Sequence, residues 1–176
     1  MAGAESTGMR HARADLFARA WAVITPTEVS VPSAVEVVRR LWSGVGARIL
    51  EMPPERHDRL VARSSHLPHM AASALARQVL NPSAPADQRA LCASGFRDTT
   101  RVASGSPEMW RDVAAANRAA ILDAMDEYMA ALRELRGILA AGTAEDLEAY
   151  FRSTKEVRDR WLASVNGGND ARPAGA

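Results

Sequence analysis

Residues 21–54 read WAVITPTEVSVPSAVEVVRRLWSGVGARILEMPP, and three patterns follow one another in that stretch. Trp21 to Thr25 is a short apolar, partly β-branched run closed by Pro26, which predicts a buried strand. Ser33 and Glu36 have the spacing of a capping box. Val35, Val38, Leu41, Trp42 and Val45 then recur at helical spacing until Gly44 and Gly46 stop the helix. Ala47 to Met52 alternates as a second strand. Strand, helix and strand in this order form a βαβ unit, which needs a parallel sheet to sit in. Two strands alone do not make a stable sheet. Gly44-Val45-Gly46 follows a helix and precedes a strand, the reverse of a phosphate-binding turn, so it reads as a helix stop and not as a cofactor loop.

After Pro53-Pro54 the pattern is helical only, which places a domain boundary there. A helical region is expected from about Glu55 to Leu80, with Pro68 as a start or kink. A loop spans Asn81 to Pro85, a short helix Ala86 to Ala93, and a second loop Ser94 to Ser106. Ser106 and Pro107 supply an N-cap and a first-turn proline for the longest helix, with Glu108 near its positive end. Its stripe of Trp110, Val113, Ala120, Ile121, Ala124, Tyr128, Leu132, Leu135 and Leu139 runs to Gly142. Thr143 caps a last helix with the stripe Leu147, Tyr150, Phe151, Val157, Trp161 and Val165, expected to form an antiparallel hairpin with the one before it. Both stripes suit a bundle or a dimer interface. Residues 166–176 are rich in Gly, Asn, Pro and Ala and read as a disordered tail.

A chain of 176 residues with a net charge of +1 allows one domain with a real core, and no broad electrostatic surface for nucleic acid or an anionic membrane. Any anion site is small and specific. The single cysteine, Cys92, excludes an intrachain disulfide framework and fits a reducing compartment, so the expected location is cytoplasmic. There is no apolar run long enough for a transmembrane helix, and the first residues have no apolar core of a signal peptide.

Two clusters could carry chemistry. The first runs from His57-Asp58 through Arg63-Ser64-Ser65 to His66-Leu67-Pro68-His69 and holds three of the four histidines. His66 and His69 are three apart, hence on one helical face, and imidazoles suit proton handling or the binding of a carboxylate. The alternative is a capped helix start with solvent-facing rings. Zinc held by His57, His66 and His69 is a further reading, disfavoured because no thiolate lies nearby. The second cluster is Gly95-Phe96-Arg97-Asp98-Thr99-Thr100-Arg101, a glycine-led segment whose guanidinium forks and hydroxyls match a carboxylate. Its alternative is a surface Arg97/Asp98 pair that contributes little. Trp110 and Trp161, on apolar stripes, read as core or interface residues.

The segments HDRLVARSSHLPHMAASALA (57–76), GFRDTTRVASGSPEMWRDVAAANRAAIL (95–122) and, earlier, MAGAESTG followed by ARADLF and ITP (1–26) together resemble prephenate dehydrogenases. That family oxidises prephenate or arogenate with NAD or NADP, with loss of carbon dioxide, on the way to tyrosine. It has an N-terminal Rossmann domain followed by an all-helical dimerisation domain. The resemblance implies a mainly α fold, with residues 1–53 a strand-helix-strand remnant of the nucleotide-binding domain, 54–165 the helical substrate and dimerisation domain, and 166–176 a tail. It implies that His69 and Arg101 contact substrate with His66. His57, Asp58 and Asp98 would form the polar shell, and Trp110 would lie near the subunit interface. The family's catalytic histidine stands in a His-Pro-Met-Ala-Gly motif. The chain opens at Met1-Ala2-Gly3, so that histidine would fall just before residue 1, and His11 is too far along to replace it. The expectation is an N-terminally truncated homodimeric enzyme portion, inactive alone and binding no metal. The competing reading is a non-catalytic helical dimer that binds an aromatic carboxylate or a partner enzyme.

Overall fold

The computed structural model describes residues 15–170. The opening Met1-Ala2-Gly3, His11 and the last six residues of the expected tail lie outside them.

The βαβ unit forms as the hydrophobic pattern dictates. Strand β1 (Trp21–Ile24) pairs in parallel with β2 (Arg48–Glu51), in a register that puts Trp21 beside Arg48 and Ile24 beside Glu51. Helix α1 (Pro32–Gly44) makes the crossover. The capping box does not form. Pro32, with φ preset for a first helical turn, starts the helix two residues early and leaves Ser33 inside it, while Val31 at the N-cap offers no side-chain acceptor. Glu36 is then free to accept from Arg39 and Arg40, one helical turn on. These guanidiniums hold its carboxyl below the usual carboxylate range. Arg39 also pairs with Glu51, tying α1 to β2, although such exposed pairs contribute little. Gly46 closes the α1 to β2 turn at φ 81°, a left-handed conformation that costs a glycine nothing, and its carbonyl accepts from the Arg19 amide. Ile24 and Met52 are buried, but Trp21, Val23 and Leu50 remain exposed on this two-stranded sheet.

Every described element after Pro53 is helical, so the mainly α fold expected from the sequence is what forms. The region expected as one helix with a proline kink consists of α2 (Pro54–Val61), a π turn (Ala62–His66) and α3 (Leu67–Val79). Pro68 has no amide hydrogen, and its ring would press on the carbonyl of Ser64 four residues back. The backbone widens just upstream, with the Leu67 amide reaching Ala62. Side chains take up two neighbouring carbonyls: Ser64 Oγ donates to Leu60 O at 2.9 Å, and Arg63 donates to Arg59 O at 3.2 Å.

Helix α4 (Ala86–Ala90) is shorter than expected. The segment read as a loop from Ser94 to Ser106 is largely helical, with α5 (Ser94–Thr100) and a 3-10 turn (Arg101–Ser104). Ser106 caps α6 (Pro107–Ala116) through a bond from the Met109 amide. The helix expected to continue to Gly142 stops at Asn117 and resumes as α7 (Arg118–Ala141). Helix α8 (Ala144–Asp170) extends five residues into the segment read as tail. Its cap is reciprocal: the Thr143 amide donates to Asp146, and the Asp146 amide to Thr143 Oγ1.

Among the described residues, those up to Ala124 form one compact unit and those from Met125 a second. Helices α7 and α8 meet at the Gly142-Thr143 corner but do not pack along their lengths, unlike the antiparallel hairpin expected from their stripes. Leu132, Leu139, Phe151, Val157 and Trp161 are exposed, Trp161 by 59%.

Candidate functional site

Three elements of the first unit bring the His57–His69 cluster together. His69, in the first turn of α3, is only 6% exposed. Its ring stacks on the indole of Trp110 from α6, with centroids 3.5 Å apart and planes 12° from parallel. His66, the last residue of the π turn, meets the same indole edge-on at 6.1 Å. One tryptophan therefore orders both imidazoles that the sequence placed on one face. Trp110 was expected near a subunit interface; its ring forms a wall of this site.

The floor is closed by backbone. Gly105, between the 3-10 turn and α6, lies so close that a Cβ built on it would sit 2.7 Å from Trp110 Nε1 and 3.3 Å from His69 Cε1. The 3-10 turn also supplies the Val102 backbone as a hydrogen-bond partner of His69. Arg101 is the first residue of that turn and is exposed, as are Arg97 and Asp98 one turn earlier on α5. Thr100 is committed to the Phe96 carbonyl at 2.6 Å, so its hydroxyl proton serves the helix and not a ligand.

Polar partners join α2 to the far side. His57 Nδ1 lies 2.9 Å from the Asp58 carboxylate. Asn117, in the break between α6 and α7, donates from Nδ2 to the Asp58 carbonyl at 2.8 Å, and the same nitrogen is 3.3 Å from His66 Nδ1. Sequence reading missed Asn117 and Gly105. The signal for Asn117 was an amide residue after an alanine run in a supposed helix interior, where Asn competes with the backbone for hydrogen bonds. Among the described residues no group of three or more His, Cys, Asp or Glu side chains is placed to hold a metal ion.

Burial lowers the pKa of His66 below the ordinary histidine value, against the pull of the Asp58 carboxylate and with a smaller push from His57. Burial also lowers that of His69, against its bond to the Val102 backbone. The unfolded chain therefore takes up protons at these positions before the folded one does. Stability is full above about pH 6.5 and is lost as the pH falls from there toward the lowered folded values. The urea midpoint is expected to be lower near pH 5 than near pH 7.5, with the difference shrinking when both histidines are replaced by Gln. An identical midpoint at both pH values would contradict this.

The described residues form a mainly helical chain in which the imidazoles of His66 and His69 meet one aromatic wall, preceded by a two-stranded parallel sheet with a helical crossover. Residues 53–153 match the family model "Prephenate dehydrogenase, dimerization domain", and residues 1–51 match "Prephenate dehydrogenase, nucleotide-binding domain". The chain belongs to the prephenate dehydrogenase family. It is 38% identical over 161 residues to a prephenate dehydrogenase of Bacillus subtilis, covering 90% of this chain and 43% of that protein. Among solved structures it resembles the Aquifex aeolicus prephenate dehydrogenase in complex with hydroxyphenyl propionate and NAD+, with a TM-score of 0.82, 30% identity, and coverage of 90% of this chain and 56% of that one. Synechocystis arogenate dehydrogenase is similar, with a TM-score of 0.78, 31% identity, and 91% and 59% covered. The chain thus spans about half the length of the relatives it matches.

Proposed function

We propose that this chain is the substrate-binding and dimerisation portion of a cytoplasmic prephenate or arogenate dehydrogenase. The complete enzyme would carry out NAD- or NADP-dependent oxidative decarboxylation of prephenate to 4-hydroxyphenylpyruvate in tyrosine biosynthesis. The observation that carries this reading is the His66, His69 and Trp110 group, with Arg101 on the adjoining turn, lying wholly within the residues matched by the family's helical domain.

Prephenate bears two carboxylates. A guanidinium presents a planar fork to one of them, and a neutral imidazole adds an N–H donor, both strengthened where water is excluded. Arg101, His69 and His66 take those roles. His57, Asp58 and Asp98 form the polar shell, and Trp110 gives the ring a flat apolar surface. We assign no residue of the chain the part of catalytic base.

The dinucleotide is a different matter. The β1 to α1 connection, Thr25 to Val31, contains no glycine and so does not form the tight turn that lets backbone amides approach a pyrophosphate. That connection is therefore not itself the phosphate-binding turn of a dinucleotide site. The exposed apolar faces of α7 and α8 support a homodimer, because an unpartnered patch of that kind marks an interaction surface.

The isolated chain is expected to show no prephenate-dependent reduction of NAD+ or NADP+, and to contribute turnover when joined to a family nucleotide-binding domain. Binding of prephenate without turnover in the joined form would favour the non-catalytic dimer instead.

A further inference from the structure

The amide of Asn117 settles a question of proton placement. Its Nδ2 lies 2.8 Å from the Asp58 main-chain carbonyl, an atom that can only accept, so the NH2 end of the amide must face it. The same Nδ2 faces His66 Nδ1 at 3.3 Å, and an NH2 group has a second hydrogen to give. A protonated Nδ1 there would set donor against donor. We propose that Asn117 is a positioning residue that holds His66 as the neutral imidazole with its proton on Nε2.

Several groups act on that ring. From α2, the Asp58 carboxylate favours protonation, although it already pairs with His57 Nδ1, and His57 opposes it. From α6, the neutral Trp110 indole meets the ring edge-on. Asn117, held by a carbonyl 59 residues away in sequence, removes Nδ1 from the choice. Nε2–H remains as the one polar group His66 can offer, a fixed donor suited to a carboxylate or hydroxyl. That last step rests on the proposed function, whereas the tautomer itself does not.

The test is nitrogen-15 NMR of the histidine rings in the full 176-residue chain without ligand, with His66 assigned by its loss in His66→Gln. At about pH 8, above the ordinary histidine range, His66 is expected to show an unprotonated Nδ1 and a protonated Nε2. Asn117→Asp replaces the donor with a carboxylate acceptor. It should move the proton to Nδ1 and raise the His66 titration midpoint by about one pH unit or more. A merely structural role for Asn117 would leave the tautomer unchanged. Nδ1–H in the unmodified chain would overturn the proposal even if the variant fails to fold. So would a folded Asn117→Asp variant with the same tautomer and midpoint. Failure to bind prephenate would count against the functional reading and leave this result standing.

Discussion

Replacing Arg101 with Met should weaken prephenate binding by roughly 10- to 100-fold, the loss expected when a charge-assisted hydrogen-bonding partner of a carboxylate is removed. Met keeps most of the side chain's length and apolar stem, so the packing of the 3-10 turn is largely preserved and the change isolates the guanidinium. Lys in its place should recover charge but not the planar fork, giving an intermediate affinity. Calorimetric titration of prephenate into the three proteins gives the comparison. Equal affinities for the parent chain and Arg101→Met would remove Arg101 from the site. Arg97→Met should change affinity little, because Arg97 is placed one helical turn earlier, outside the proposed carboxylate contact.

Gly105→Ala is the second large effect. Gly105 has φ −66° and ψ 162°, a conformation alanine adopts without strain, so backbone preference predicts a small gain from a less flexible unfolded chain. Sterics reverse the sign. The new methyl would meet the Trp110 indole nitrogen at 2.7 Å, and the indole cannot withdraw without leaving its stack on the buried His69. Overpacking of this kind costs about 1–3 kcal/mol, which lowers Tm by roughly 2–10 °C in a chain of this size. Gly95→Ala is the control, since nothing lies within 4 Å of a Cβ built there. A Gly105→Ala variant as stable as the parent would show that the His69-Trp110 stack yields more easily than its geometry implies.

These effects depend on contacts that the sequence revealed unevenly. The βαβ order was legible because a β-branched run, a helical stripe and an alternating run are separate patterns. The caps at Ser106 and Thr143 were legible because each is a short-range hydrogen bond between neighbours. Ser33 and Glu36 had the same spacing and did not cap, because Pro32 moved the helix start by two residues. The Gly95 to Arg101 segment looked like a loop through its glycine and hydroxyls. The Thr100 hydroxyl instead bonds back to Phe96, within a helix.

In the site, the pairing of His66 with His69 followed from their spacing, and the shared Trp110 wall did not. Their phase is set by a π turn ahead of Pro68, and a one-residue widening is invisible to a fixed 3.6-residue period. Asn117 and Gly105 act through residues 59 and 36 positions away, Asp58 and His69 respectively, so only the folded chain shows what they touch.

The role proposed for His66, His69, Trp110 and Arg101 is to bind the substrate's carboxylates and ring together. It is tested most directly by titrating prephenate into the isotope-labelled chain while following the imidazole, indole and guanidinium signals. These four residues are expected to shift together along one saturable curve, and Arg101→Met to flatten it. Saturable shifts confined to other residues, or none at concentrations that saturate a complete family enzyme, would contradict it.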